Sequence, residues 1–206
     1  MVFSSVLIEN AVNELSSLPG IGKKTALRLV LHLLQQEEAS VRQFSETLYK
    51  MRKEIRFCLT CGNVSDQETC SICANPGRKQ ETVCVVENIR DIMAIENTQQ
   101  YNGVYHVLGG VISPLDGVGP DELHIDSLIE RLKSGRITEV IMAISPTIEG
   151  DTTLFYLSKK IKAFPVQITT IARGIAFGGE LEYADEMTLA RSLTNRLPLH
   201  QYVQND

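Results

Sequence analysis

The chain has 206 residues, 43% of them hydrophobic, a mean hydropathy of −0.03 and a formal net charge of −5 at pH 7. That length accommodates one domain of ordinary size with smaller modules beside it; no apolar run approaches the ~18 residues of a membrane helix, and no basic stretch leads into an apolar core and small-residue cleavage site, so the expected compartment is the cytoplasm with no membrane partner. The acidic total excludes a protein that merely coats nucleic acid, but residues 1–57 hold eight Lys or Arg against six Glu (+2), leaving twelve against nineteen for residues 58–206 (−7), so nucleic-acid contact is expected in the first part.

Helical spacing of Leu7, Ala11, Leu15 and Leu18 predicts a first helix over Val6 to Leu18. Leu18-Pro19-Gly20-Ile21-Gly22-Lys23-Lys24 breaks it. A second helix is expected from Lys23 to Leu34, with Ala26, Leu29, Val30, Leu33 and Leu34 on one buried face. Gly22 opens that helix, whose first N–H groups lack partners and point outward, and Lys23, Lys24 and Arg28 add positive charge where a phosphate would bind. This is a helix-hairpin-helix in the nucleic-acid-binding sense; the short motif alone fits equally well an ordinary Pro-Gly turn with solvated lysines. A third amphipathic helix is expected from Val41 to Arg56, burying Phe44, Leu48, Met51 and Ile55. Its outward Arg42, Lys50, Arg52, Lys53 and Arg56 form either a phosphate track or simply a wet face.

Cys58-Leu-Thr-Cys61 and Cys70-Ser-Ile-Cys73 are two Cys-x-x-Cys pairs eight residues apart, holding four of the five cysteines. Each pair presents two thiolates from one tight turn, and two facing turns supply the four sulfur ligands of a structural zinc. In a reducing compartment metal outranks disulfides. Four thiolates leave zinc no open position for substrate, so its expected role is to fold and orient a joint.

Asn75-Pro-Gly-Arg-Lys79 is a turn-rich link, and Val83-Cys84-Val85-Val86 then reads as a buried parallel strand. Cys84 has no second thiol at ligand spacing and is expected to be a small core residue. Beyond it the pattern alternates: helix Asp91 to Glu96, strand Val104 to Leu108, helix Ile125 to Lys133, strand Glu139 to Ile144, helix Thr152 to Ile161, strand Val166 to Ile171. Such alternation predicts a parallel sheet flanked by helices. Gly-rich loops span 109–120 and 173–179, and a last helix is expected from Tyr183 to Arg196.

Ligands of open parallel sheets sit outside the carboxyl ends of the strands. Glu87 follows the first strand and Glu149-Gly-Asp151 follows the third by one short loop, so neighbouring strands would bring three carboxylates to one edge. Three readings stay open: a magnesium site for phosphoryl transfer, an acidic patch docking a basic partner protein, and solvated loop carboxylates. His32 and His106 lie inside predicted elements and His124 and His200 in polar surroundings, with no acid or nucleophile at useful spacing; no GxxxxGK[ST] loop is present.

Together, Leu18-Pro-Gly-Ile-Gly-Lys-Lys24, the Cys58 to Cys73 module, Val85-Val-Glu87, Tyr105-His-Val-Leu-Gly-Gly110-Val-Ile-Ser-Pro-Leu115, Pro146-Thr-Ile-Glu149-Gly-Asp151 and Ala172-Arg-Gly174…Gly178-Gly179-Glu180-Leu-Glu-Tyr183 resemble the RecR family of bacterial recombination mediators, over nearly the whole chain and in the same order. The resemblance implies a multi-module α/β chain: a helix-hairpin-helix over 1–53, a four-cysteine zinc finger over 54–78, a Toprim domain with a mostly parallel, helix-flanked sheet over 79–172, and a C-terminal helical tail over 173–206 that joins subunits. It implies a non-enzymatic, nucleoid-associated factor, a homo-oligomer in the form of a tetrameric ring, that works with RecO or RecF to help load RecA onto single-stranded DNA covered by single-strand-binding protein. By match to the motifs, DNA contact falls on Gly20, Gly22, Lys23, Lys24 and Arg28, zinc on Cys58, Cys61, Cys70 and Cys73, and partner docking or magnesium binding on Glu87, Glu149 and Asp151. Ser145 stands where the family usually has Asn, and Ala176 where proline is common; neither removes a carboxylate or a cysteine. Because Toprim domains also occur in topoisomerases and primases, a magnesium-dependent nuclease or topoisomerase-like enzyme is the alternative, and an adaptor that binds only proteins is a third.

Overall fold

The structure is a computed structural model and describes residues 3–175 and 177–199, so Ala176 and His200, both singled out above, lie outside the described residues. The chain divides into two compact units, Met1–Ile55 and Arg56–Asp206. No described helix is long and apolar enough to cross a membrane.

The first unit holds α1 (Val6–Ser16), α2 (Lys23–Leu34) and α3 (Glu38–Glu54). α1 ends where the Ser16 and Ser17 hydroxyls donate to the carbonyls of Asn13 and Glu14, just before Pro19, which disfavours helical backbone at Leu18. Val12 packs against Ala26 and Val30, with Ile8, Ala11 and Leu15 half-buried around them. The buried faces are narrower than the periodicity predicts. Leu7, Leu18 and Leu34 are exposed, because two helices in contact bury only the stripe between them. α3 differs more: it buries no residue, and Phe44, Leu48, Met51 and Ile55, expected inside, are exposed. Amphipathic spacing names the apolar face of a helix but not what covers it, and within this unit α1 and α2 pack on each other.

In the second unit, β1 (Arg56–Phe57) pairs antiparallel with β2 (Val64–Ser65), and α4 (Ser71–Ala74) completes the cysteine module. A four-stranded, all-parallel sheet follows, made of β3 (Lys79–Val86), β4 (Gly103–Val107), β5 (Glu139–Ala143) and β6 (Gln167–Thr170) in the order β4-β3-β5-β6. β3 and β5 are the interior strands, and β3 lies between β4, which follows it in the chain, and β5, which the chain reaches from β4 by crossing over β3. Its side chains alternate between two cores. Val83 and Val85 join Leu128 and Leu132 of α6 (Ile125–Lys133) and Leu157 and Ile161 of α7 (Ile148–Ile161). Cys84 and Val86 join Tyr105, Val107 and Ile92 of α5 (Ile89–Asn97) on the other face. Two covered faces explain why the strand reads as an unbroken apolar run, and Cys84 is a core thiol whose pKa burial pushes up to about 12.

Local caps move several boundaries. α5 starts earlier than expected because Asn88 and Asp91 form a reciprocal capping box. α7 starts four residues before the predicted Thr152: the Thr147 side chain accepts from Gly150 N at 3.0 Å, so Glu149 and Asp151 lie in the first helical turn rather than in a loop. Gly150 is required there, since a Cβ would collide with the Ser145 carbonyl oxygen. Toward the C-terminus, Leu181–Tyr183 is a 3-10 turn, and α8 (Glu186–Thr194) begins only at the Asp185 cap.

Leu157→Ala, at a site with no solvent exposure, should destabilise the protein by about 2–5 kcal/mol in urea unfolding. Leu115→Ala, at a position 96% exposed, should stay within about 0.5 kcal/mol of wild type.

Candidate functional site

The four cysteine sulfurs lie within 4.8 Å of one another, and three of the four residues are buried. The first turn is set by Gly62, at φ +76, and by Gly62 N donating to Cys58 O at 2.9 Å; the second is the N-terminus of α4. Cys61 Sγ and Cys70 Sγ are 3.6 Å apart, close to the about 3.8 Å expected around a tetrahedral zinc with Zn–S of about 2.3 Å. Burial opposes the Cys58 thiolate, yet backbone N–H groups of Cys70, Cys61 and Thr60 bring its pKa down to about 6. Cys61 is pushed up by its hydrogen bond to Cys73 and by burial, and Cys70 is pushed up by burial. Four such sulfurs ionise together only around a cation, so the donor set fits zinc.

In the hairpin, Gly20 sits at φ +78, a conformation that suits glycine. Gly22 is the N-cap of α2, offers no side-chain cap, and has no acidic residue in the following turn. Nothing lies within 4 Å of where a Cβ would stand at either glycine, and Lys23, Lys24 and Arg28 are exposed. The first turn therefore presents uncapped N–H groups beside three cations, the polarity that accepts a phosphate.

The three acidic positions do not converge as the sheet order alone suggests. Among the described residues, only the cysteines form a group of three or more candidate metal-ligating side chains. Glu87 Oε1 accepts from Ser145 N at 2.6 Å, tying the ends of β3 and β5 together. Asp151 accepts from Arg173 Nη1 at 2.7 Å and from Arg191 Nη2 at 3.2 Å. The donors from Arg173, and with them Arg191, hold its carboxyl below the usual range. Two of the three carboxylates, Glu87 and Asp151, are thus already served by an N–H donor and by two cations.

Four family models match in succession: the RecR helix-hairpin-helix over 8–52, the RecR four-cysteine zinc finger domain over 55–75, the Toprim domain over 81–172 and the RecR C-terminal model over 174–197. A protein named Recombination protein RecR from Bacteroides thetaiotaomicron is 60% identical over 94% of this chain and 95% of its own. Another of that name, from Flavobacterium johnsoniae, is 58% identical over the full length of both chains. A third, from Amoebophilus asiaticus, is 56% identical over 97% of this chain and all of its own. The chain belongs to the RecR family.

A RecR chain thus carries its Toprim acidic edge in a form where Asp151 is neutralised from within. Arg173 and Arg191 were invisible as site residues in the sequence, because they lie 22 and 40 positions from their carboxylate. Two other residues were missed where the finger meets the sheet. His124 Nδ1 bonds to Val107 O at 3.1 Å, and Arg131 donates to Tyr105 O at 2.7 Å. Only the fold of this RecR sheet could reveal either.

Because the folded pKa of Asp151 lies below the unfolded value of about 3.9, its ion pairs stabilise the fold fully above about pH 4 and are lost as pH falls through the depressed folded value. In an NMR titration Asp151 should have a midpoint below that of an ordinary aspartate. Replacing both Arg173 and Arg191 by Gln should move it back up, and the stability gap between wild type and Asp151→Asn should close only at acid pH.

Proposed function

We propose that this RecR-family chain is a non-enzymatic mediator of DNA recombination and repair, acting in the cytoplasm at the nucleoid. It holds DNA without sequence preference, assembles as a homo-oligomer in a tetrameric ring, and with RecO- or RecF-like proteins helps load RecA onto single-stranded DNA coated by single-strand-binding protein. The observation that carries the reading is the α2 N-terminus, uncapped, free of acidic residues and flanked by exposed cations in a chain that is otherwise acidic. Gly20, Gly22, Lys23, Lys24 and Arg28 are assigned to the phosphate backbone, which positions a protein but carries no sequence information.

The remaining assignments follow the same division: hairpin 1–53, zinc finger 54–78, Toprim domain 79–172 and C-terminal oligomerisation segment 173–206. Cys58, Cys61, Cys70 and Cys73 hold a structural zinc, which supplies charge balance and a fixed turn geometry. The acidic edge at Glu87, Glu149 and Asp151 docks a basic partner surface. Self-association is favoured by the exposed Leu7, Leu34, Phe44 and Leu48 of the first unit, large apolar side chains that a lone chain leaves in water. Repeating one small cationic zone around a ring raises avidity without new contacts.

Replacing Lys23 and Lys24 by Glu should weaken single-stranded DNA binding at low salt by about tenfold or more and flatten its salt dependence. Unchanged affinity would overturn the hairpin assignment. DNA incubated with the protein and magnesium should remain intact; cleavage that disappears in Glu149→Gln would establish the nuclease or topoisomerase-like alternative instead.

A further inference from the structure

Arg131 lies in the last turn of α6, and its guanidinium is turned inward. Nη1 donates to Tyr105 O at 2.7 Å and lies 3.4 Å from His106 Nδ1. His106, 1% exposed, is no counter-charge. Burial brings its pKa down to about 4, and the neutral ring donates from Nε2 to His124 O at 2.8 Å while Nδ1 accepts from Arg131. Among the described residues, no carboxylate forms a salt bridge with Arg131. A half-buried cation without a salt-bridge partner among the described residues gains from negative charge nearby.

That charge lies across β4. Val107 N, on the strand Arg131 straps through Tyr105, donates to Cys61 O at 2.8 Å, and α4 also packs on β4. Cys58, His106, Val107, His124 and Ser127 share a small crevice of about 190 Å³, so α6 and the cysteine turns face the same few residues. Burial lowers the Arg131 pKa; the groups that raise it are Cys73, Cys61 and Cys58, ahead of Tyr101. Four thiolates around one divalent ion leave the centre negative.

We propose that Arg131 is the counter-charge of the four-cysteine metal centre, so that α6 of the Toprim domain is joined to the finger by charge as well as by backbone hydrogen bonds. The proposal rests on the zinc reading of the cysteines. It makes Arg131 a positioning residue: it touches no metal and acts through the charge it sets against the sulfurs that do.

The test uses the full chain, comparing wild type, Arg131→Gln and Arg131→Lys for zinc content after purification and for zinc loss to a chromogenic chelator. Arg131→Gln should release zinc about tenfold more readily than wild type, and Arg131→Lys should stay within about twofold of it, because charge is kept while the strap to Tyr105 is changed. Equal retention in wild type and Arg131→Gln overturns the counter-charge, as does Arg131→Lys losing zinc like Arg131→Gln, which marks a purely structural strap. If Arg131→Gln does not fold, Arg131→Lys decides alone on the same criterion. A wild-type protein that binds no zinc overturns the zinc reading itself, and the counter-charge with it.

Discussion

Val83 to Val86 have almost no contact with water, and most of the second unit follows from keeping them dry. Burying each such side chain contributes about 1.5–3 kcal/mol, and a strand buried on both faces demands helices on both. α6 and α7 cover Val83 and Val85, α5 covers Cys84 and Val86. Parallel pairing puts Val86 opposite Val107 on one side and Ala143 on the other, so the chain leaves all three strands at one edge, where Glu87 and Ser145 meet. The same strand anchors the finger. Arg78, just before it, pairs with Glu96 and donates to Tyr101 O and Gly103 O, and Tyr105 OH donates to that Glu96 at 2.7 Å. These bonds fix where the cysteine module ends and the sheet begins.

The two units divide the chemistry by charge. Cations that could meet a phosphate sit at the start of a helix with nothing acidic in its first turn, while the four clustered sulfurs and most of the acidic side chains belong to the second unit. Within that unit three anionic groups are met internally: Asp151 by Arg173 and Arg191, Glu87 by Ser145 N, and Cys58 by backbone N–H groups. Each arrangement removes a repulsion that would otherwise favour proton uptake.

Features set by neighbours in sequence were legible from sequence. The Cys-x-x-Cys spacing places four sulfurs together because each turn is local; the Val83–Val86 run and the helix-strand alternation give the parallel sheet; Gly22 before two lysines marks an uncapped helix start. What depends on packing was not. The apolar side of α3 is plain in its periodicity, but Phe44 and Leu48 stay wet because no other described helix of the unit covers them. The start of α7 moved because the Thr147 hydroxyl caps it, which carried Glu149 and Asp151 out of a supposed loop. Sheet order brought the strands of Glu87 and Asp151 side by side, yet helix geometry and two distant arginines decide what those carboxylates face.

The double pairing of Asp151 also bears on how this edge could change by mutation. The three side chains are partly exposed, 42% for Asp151, 21% for Arg173 and 37% for Arg191, so each bridge is worth little alone, on the order of 1 kcal/mol or less. Substituting one arginine leaves the other seated on the carboxylate, and substituting both still leaves Glu87 occupied with Ser145 N. The edge therefore keeps its pairing through any single arginine substitution, at a cost that is small beside the about 5–15 kcal/mol holding a folded domain together.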